Sequence, residues 1–216
     1  PNGAGKSTTM NIMTGYIAST DGEVIINGHN ILEEPEEAKK CIGYLPEQPP
    51  LYFDMTVKEY LKFAAELKKV PRDRRENQIK DVTKMVGITN MQERLIKNLS
   101  KGYRQRVGLA QAILGYPEII ILDEPTVGLD PKQIIEIREL IRKLAKNHTI
   151  ILSSHILSEV SEVCDYILII NNGKLVASDT TDNLEKMTMG SNTLELSVKG
   201  DRERMKNILD QMEEIR

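Results

Sequence analysis

Apolar positions follow two rhythms along this chain, and the change between them marks its organisation. Short, nearly continuous apolar runs of strand length occur at 41–45 (CIGYL), 119–122 (IIIL), 149–153 (TIILS) and 166–170 (YILII). Runs of this length bounded by proline, glycine or charge read as strands buried on both faces. Between 56 and 97 the rhythm changes. Val57, Tyr60, Leu61, Ala64 and Leu67 recur at steps of three and four, as do Ile79, Val82, Met85 and Val86. That spacing predicts helices, and the block contains no strand-like run. Further helices are expected from the glycine-rich opening to about Met13, from Ser100 to about Leu114, over 131–146 and over 157–163. A short strand over 22–28 ends in the Asn27-Gly28 turn, with a second short piece at Ile31-Leu32. A hairpin pairs 166–170 with 174–178 around Asn171-Asn172-Gly173.

Strands alternating with helices predict an α/β fold with a mainly parallel sheet covered on both faces. A small antiparallel β region (22–32) and an inserted α-helical subdomain (about 50–115) interrupt it. The main domain is expected over 1–185. A strand at 193–198 and a helix from Asp201 then read as the start of a small accessory domain, 190–216.

Composition narrows the function classes. A formal net charge of −3 argues against a general nucleic-acid binder. The basic residues Lys68, Lys69, Arg72, Arg74 and Arg75 are interleaved with Asp73 and Glu76, as on a solvated helix face. Two distant cysteines, Cys41 and Cys164, have no metal-site spacing and suit a reducing compartment. No apolar run approaches the ~18 residues of a membrane span, and the opening segment is not a signal peptide. The chain is therefore expected to be cytoplasmic, reaching a membrane only through a partner.

Chemistry is concentrated at two places. Asn2, Gly3, Ala4, Gly5, Lys6, Ser7 and Thr8 carry most of a G-x-x-x-x-G-K-[ST] phosphate loop. Its glycines let successive N–H groups wrap a phosphate at a helix N-terminus, with the lysine on the β- and γ-phosphates and the hydroxyl on Mg²⁺. The pattern's first glycine would fall one position before Pro1, so the chain is expected to begin inside the motif, without the strand that precedes it. The second place is the run 119–122, which delivers Asp123 and Glu124 to the carboxyl end of a strand, where ligands of open α/β sheets bind. Asp123 there suits Mg²⁺, and Glu124 suits a general base acting on water.

Between these lies Leu99-Ser100-Lys101-Gly102-Tyr103-Arg104-Gln105-Arg106, which resembles the Leu-Ser-Gly-Gly-Gln signature of the ABC ATPase family. Gln48 on the loop after 41–45 resembles that family's Q-loop glutamine. Val127-Gly128-Leu129-Asp130 resembles its D-loop, and Ser153-Ser154-His155 its switch histidine. Six motifs thus stand in the family's order. The resemblance implies a P-loop NTPase that binds ATP and Mg²⁺. Lys6, Glu124 and His155 would be catalytic, and Ser7, Gln48 and Asp123 would hold the metal. It also implies head-to-tail closure of two ATPase subunits, identical or not, with Ser100, Gly102 and Asp130 reaching the partner's nucleotide. Lys101 and Tyr103 replace the signature's first glycine and its glutamine, and Val127 stands where serine is common. The signature's form and the C-terminal piece resemble drug, antibiotic and sodium exporter ATPases and those of gliding-motility transporters. An integral-membrane permease would be the partner, and the protein would sit peripherally on the inner face of the cell membrane. An importer ATPase shares every motif, and a non-transport ABC ATPase is the remaining alternative.

Overall fold

The computed structural model describes residues 3–184. The chain divides between Thr181 and Asp182 into two compact units, and the features below lie in the first. Asn2 and the strand and helix expected within 190–216 lie outside the described residues.

The central sheet follows from the apolar runs. Strands β3 (Ile42–Leu45), β4 (Ile119–Asp123) and β5 (Thr149–Ser153) lie parallel in the order β3-β4-β5. Leu45 pairs with Leu122, Leu122 with Leu152, and Asp123 with Ser153. Side chains alternate faces along a strand, and β4 divides its residues accordingly. Ile120 and Leu122 join the large core formed with the helices, whereas Ile121 joins a smaller core with Met10, Ile26, Ala38 and Ile42. Burial on both faces is why β4 is a continuous apolar run rather than an alternating one.

Helix α1 (Lys6–Met13) contributes Met10 to the smaller core. Two short strands, β1 (Ile25–Ile26) and β2 (His29–Asn30), pair around Asn27-Gly28, whose φ values of 50° and 86° suit a two-residue hairpin turn. The second strand therefore follows the turn directly instead of lying at Ile31-Leu32. Helix α2 (Pro35–Lys40) did not emerge from apolar periodicity, because Ala38 is its one buried residue. Its signals are terminal: proline in the first turn, then Glu36 and Glu37, then Lys39 and Lys40.

The helical block contains α3 (Val57–Leu67), α4 (Arg72–Met85) and two single 3₁₀ turns, followed by α5 (Lys101–Ile113). A reciprocal cap starts α3: Thr56 Oγ1 accepts from Glu59 N and Glu59 Oε2 accepts from Thr56 N. Val57, Leu61, Ile79, Val82, Leu109 and Ile113 bury the facing sides of these three helices. Helix α6 (Pro131–Leu144) covers the same core, α7 (Leu157–Val163) follows β5, and a final hairpin joins β6 (Tyr166–Asn171) to β7 (Lys174–Thr180).

Lys68, just past α3, ends α5. Its Nζ donates to the carbonyls of Ala112 (2.9 Å) and Leu114 (2.8 Å), satisfying acceptors that a helix C-terminus leaves open. Burial pulls this ammonium down to about 8. A lysine whose folded pKa is depressed contributes most stability above its unfolded value, and loses it as pH falls towards the folded one. Relative to Lys68→Met, the wild-type chain should therefore gain about 2 kcal/mol of unfolding free energy between pH 8 and pH 10. Paired urea titrations at the two pH values would measure this. A pH-independent difference would contradict the depressed value.

Candidate functional site

The carboxyl ends of β4 and β5 bring the predicted catalytic side chains together. Asp123 is the last residue of β4 and is 4% exposed. The Ser7 hydroxyl, in the first turn of α1, donates to Asp123 Oδ1 at 3.3 Å. The Ser153 hydroxyl, at the end of β5, donates to the same oxygen at 2.5 Å and accepts from the Glu124 backbone N–H at 3.0 Å. The cross-strand register of Asp123 with Ser153 makes that bridge possible.

Glu124 adopts φ 49°, a left-handed conformation uncommon for a residue with a side chain and characteristic of functional sites. The turn swings its buried carboxylate away from the line of β4 to meet His155, with Nδ1 and Oε2 3.0 Å apart. An ionised carboxylate only accepts, so His155 donates from Nδ1 and keeps Nε2 for another partner. His155 is 40% exposed while Glu124 is 9% exposed, which puts the ring at the solvent side of the pair.

The phosphate loop lies beside these groups. Ala4 is buried and its carbonyl accepts from Gly173 N–H at 2.9 Å, so the β6–β7 turn supports the loop. Gly5 has φ 106° and precedes Lys6, the first residue of α1. Thr8 lies exposed on α1, and Lys6 lines a cavity of about 470 Å³ together with Ser153, Ser154 and His155. Tyr44 ties α1 to the sheet, its hydroxyl donating to Asn11 Oδ1 at 3.2 Å. Burial first, and the Asp123 charge second, push that hydroxyl above its ordinary pKa, so it stays a donor.

Ser7 and Asp123 offer a hydroxyl and a carboxylate at one point. Hard oxygen donors of this kind fit Mg²⁺, which commonly takes one or two protein ligands and completes its shell with phosphate and water. Gln48 stands on an exposed bend beyond β3 and makes no hydrogen bond among the described residues. The described residues also hold no group of three or more His, Cys, Asp or Glu arranged for a metal.

Ser100, Gly102 and Asp130 do not enter this cluster within one chain. Ser100 caps α5 through Tyr103 N–H at 3.5 Å, and Asp130 caps α6 through Gln133 N–H at 2.9 Å. The two helix starts interlock. A Cβ on Gly102 would fall 2.4 Å from Gln133 Oε1, and one on Gly128 would fall 2.1 Å from Lys101 Nζ. Gly102 and Gly128 are therefore the seats on which Gln133 and Lys101 lie. Ser153, Gly173 and Tyr44 were not singled out from the sequence as site residues. A hydroxyl at a strand end carries no periodic signal, and only the register of β5 on β4 reveals its partner.

Comparison with known proteins gives a consistent result. Residues 1–127 match the ABC transporter family model. The bacitracin transport ATP-binding protein BcrA of Bacillus licheniformis is 42% identical over 187 residues, covering 86% of this chain and 60% of that protein. The lantibiotic transport ATP-binding protein SrtF of Streptococcus pyogenes is 39% identical over 191 residues, covering 87% and 80%. Among solved structures, an ATP-binding subunit of an ABC transporter superposes with a TM-score of 0.79 at 31% identity, covering 89% of this chain and 81% of its own. The dimeric ATP-binding cassette MJ0796, in a post-hydrolysis state bound to ADP and Pi, superposes with a TM-score of 0.75 at 26% identity, covering 84% and 82%.

Proposed function

Since this chain belongs to the ABC transporter family and has its ATP-binding fold, we propose that it binds and hydrolyses ATP to drive an exporter. The observation that carries this reading is the convergence of Ser7, Asp123, Ser153, Glu124 and His155 at one end of the sheet. Direction of transport rests on the relatives named for bacitracin and lantibiotic transport. No helix among the described residues is long and apolar enough to cross a membrane. Because the relatives are named as ATP-binding proteins of transport systems, we assign the membrane path to a separate permease, with this subunit bound peripherally at the inner face.

In this reading Asn2 to Thr8 would wrap the phosphates, Lys6 would neutralise the β- and γ-phosphates, and Ser7, Asp123 and Gln48 would hold Mg²⁺. The metal would supply charge neutralisation across the terminal phosphates. Glu124 orients a water and takes its proton at the carboxylate as the water attacks the γ-phosphorus and the bond to ADP breaks. His155 holds Glu124 through Nδ1, and its Nε2 can bond a γ-phosphate oxygen only when Nε2 also carries a proton, because phosphate oxygens accept and do not donate. Ser100, Gly102 and Asp130 serve the nucleotide of a second subunit. The helix N-terminus capped by Ser100 is suited to an anion brought to it from outside.

The primary experiment measures phosphate release from Mg·ATP by the full-length protein and by Glu124→Gln. Absence of hydrolysis in the wild-type protein, with and without its permease, would overturn the reading. Ser153→Ala provides a second check on the metal. Removing a hydroxyl that orients a metal-binding carboxylate typically weakens the metal about 10- to 100-fold. The Mg²⁺ concentration for half-maximal hydrolysis should rise accordingly in Ser153→Ala, and an unchanged Mg²⁺ titration would exclude that role for Ser153.

A further inference from the structure

Glu159 is a buried carboxylate that the hydrolysis chemistry leaves unused. It lies on α7, four residues after His155, and is 8% exposed. Thr126, two residues after Glu124 and 9% exposed, donates its hydroxyl to Glu159 Oε2 at 2.7 Å. Arg138 of α6 sits on the other side, with Nη2 3.5 Å from Glu159 Oε1 and Nη1 2.6 Å from Glu162 Oε2. Arg142, one turn further along α6, donates from Nε to the Glu162 carbonyl at 3.1 Å. Helix α6 thus grips α7 from two arginines, and α7 in turn grips the segment that carries Glu124.

The arrangement is expensive to bury. Taking a carboxylate and a guanidinium out of water costs several kcal/mol per ion before their attraction is counted, and apolar replacements of such pairs are often as stable or more so. Arg138 Nε is also buried without a hydrogen-bond partner among the described residues. What the network does supply is geometry. Upstream of the carboxylate–imidazole contact, the segments bearing Glu124 and His155 are joined by the β4–β5 ladder and by the Ser153 hydroxyl. The Thr126–Glu159 bond adds an attachment on the downstream side, a few residues further along both, so the Glu124–His155 pair is held from both directions.

We propose that Thr126, Glu159 and Arg138 are positioning residues for hydrolysis, setting the separation and orientation of the Glu124–His155 pair. Through α6 they also tie that pair to the segment from Val127 to Asp130, which leads into α6 at the cap formed by Asp130. A displacement of that segment by a second subunit then reaches the catalytic pair along covalent chain and buried hydrogen bonds. The inference rests on the ATPase reading above.

The test uses the full-length protein with three changes. Thr126→Val keeps the shape and removes the donor, Thr126→Ser restores the donor, and Glu159→Gln keeps an acceptor for Thr126 but removes the charge facing Arg138. Misplacement of a catalytic group by about 1 Å can cost up to ~10²-fold. Thr126→Val is expected to lower kcat about tenfold with KM for Mg·ATP within about twofold. Thr126→Ser should recover most of the loss, and Glu159→Gln should lower kcat without raising KM. The chain has three histidines, so ¹⁵N-imidazole spectra give a readout that a general loss of stability would not produce. The His155 signals should move in Thr126→Val while those of His29 and His148 stay in place. An unchanged kcat in both Thr126→Val and Glu159→Gln, or His155 signals that do not move, would overturn the inference. So would a Thr126→Ser protein as impaired as Thr126→Val. Hydrolysis by the wild type with any of these outcomes leaves the ATPase reading standing, whereas a wild type that does not hydrolyse ATP removes the reading itself.

Discussion

Glu124→Gln should lower the turnover of ATP by at least ~10²-fold, the range usual for removal of a general base, while Mg·ATP binds about as tightly as to the wild type. The surroundings of Glu124 make this a narrow test. Its backbone N–H is held by Ser153 and its backbone is already committed to φ 49°. Its carboxylate is 9% exposed and bonded to His155. Glutamine has the same shape and can accept the same hydrogen bond from His155 Nδ1, so the site should keep its geometry. What the amide cannot do is take a proton from water. A fall in kcat with unchanged nucleotide affinity, measured by phosphate release and by equilibrium binding of ATP, would assign Glu124 to the proton transfer. Unimpaired hydrolysis would remove it from that role and leave the Glu124–His155 contact as a structural one.

The two candidate carboxylates were legible in the sequence because their strand is. A run of four apolar residues ending in Asp-Glu can only be buried on both faces in a sheet of this kind, and such a strand delivers its last residues to the edge where ligands bind. The helical block was equally legible from its three- and four-residue spacing. Groups that act through one tertiary contact were not. Ser153 matters because β5 pairs in register with β4, and Lys68 because its buried stem ends at the last turn of α5. Glu159 pairs with a threonine 33 positions away. None of these has a local pattern that separates it from a surface serine, lysine or glutamate. Helix α2 was missed for a related reason: six residues with one buried side chain give periodicity nothing to count.

The signature and D-loop residues lie between these cases, and they supply the prediction with the largest effect after Glu124. Their motif was readable, yet in one chain Ser100 and Asp130 only cap their own helices, and Gly102 seats Gln133. Their proposed role requires a second subunit. Full-length Glu124→Gln protein, which binds ATP without consuming it, is therefore expected to shift from monomer to dimer in light scattering when Mg·ATP is added. Ser100→Arg in the same background should abolish the shift. Loss of the serine cap alone costs about 1 kcal/mol, spread over a helix whose Gly102, Val107, Leu109, Ala110 and Ile113 are buried, so α5 itself should remain. The arginine instead places a long side chain where the partner's phosphate has to approach. Ser100→Ala separates the two effects: it removes the cap but leaves the approach open, and it should still dimerise at higher ATP. A Glu124→Gln protein that stays monomeric at saturating Mg·ATP would show that Lys101 and Tyr103 do not support closure between two such subunits unaided. Repeating the measurement with the permease present would then establish whether the membrane partner supplies the missing contacts.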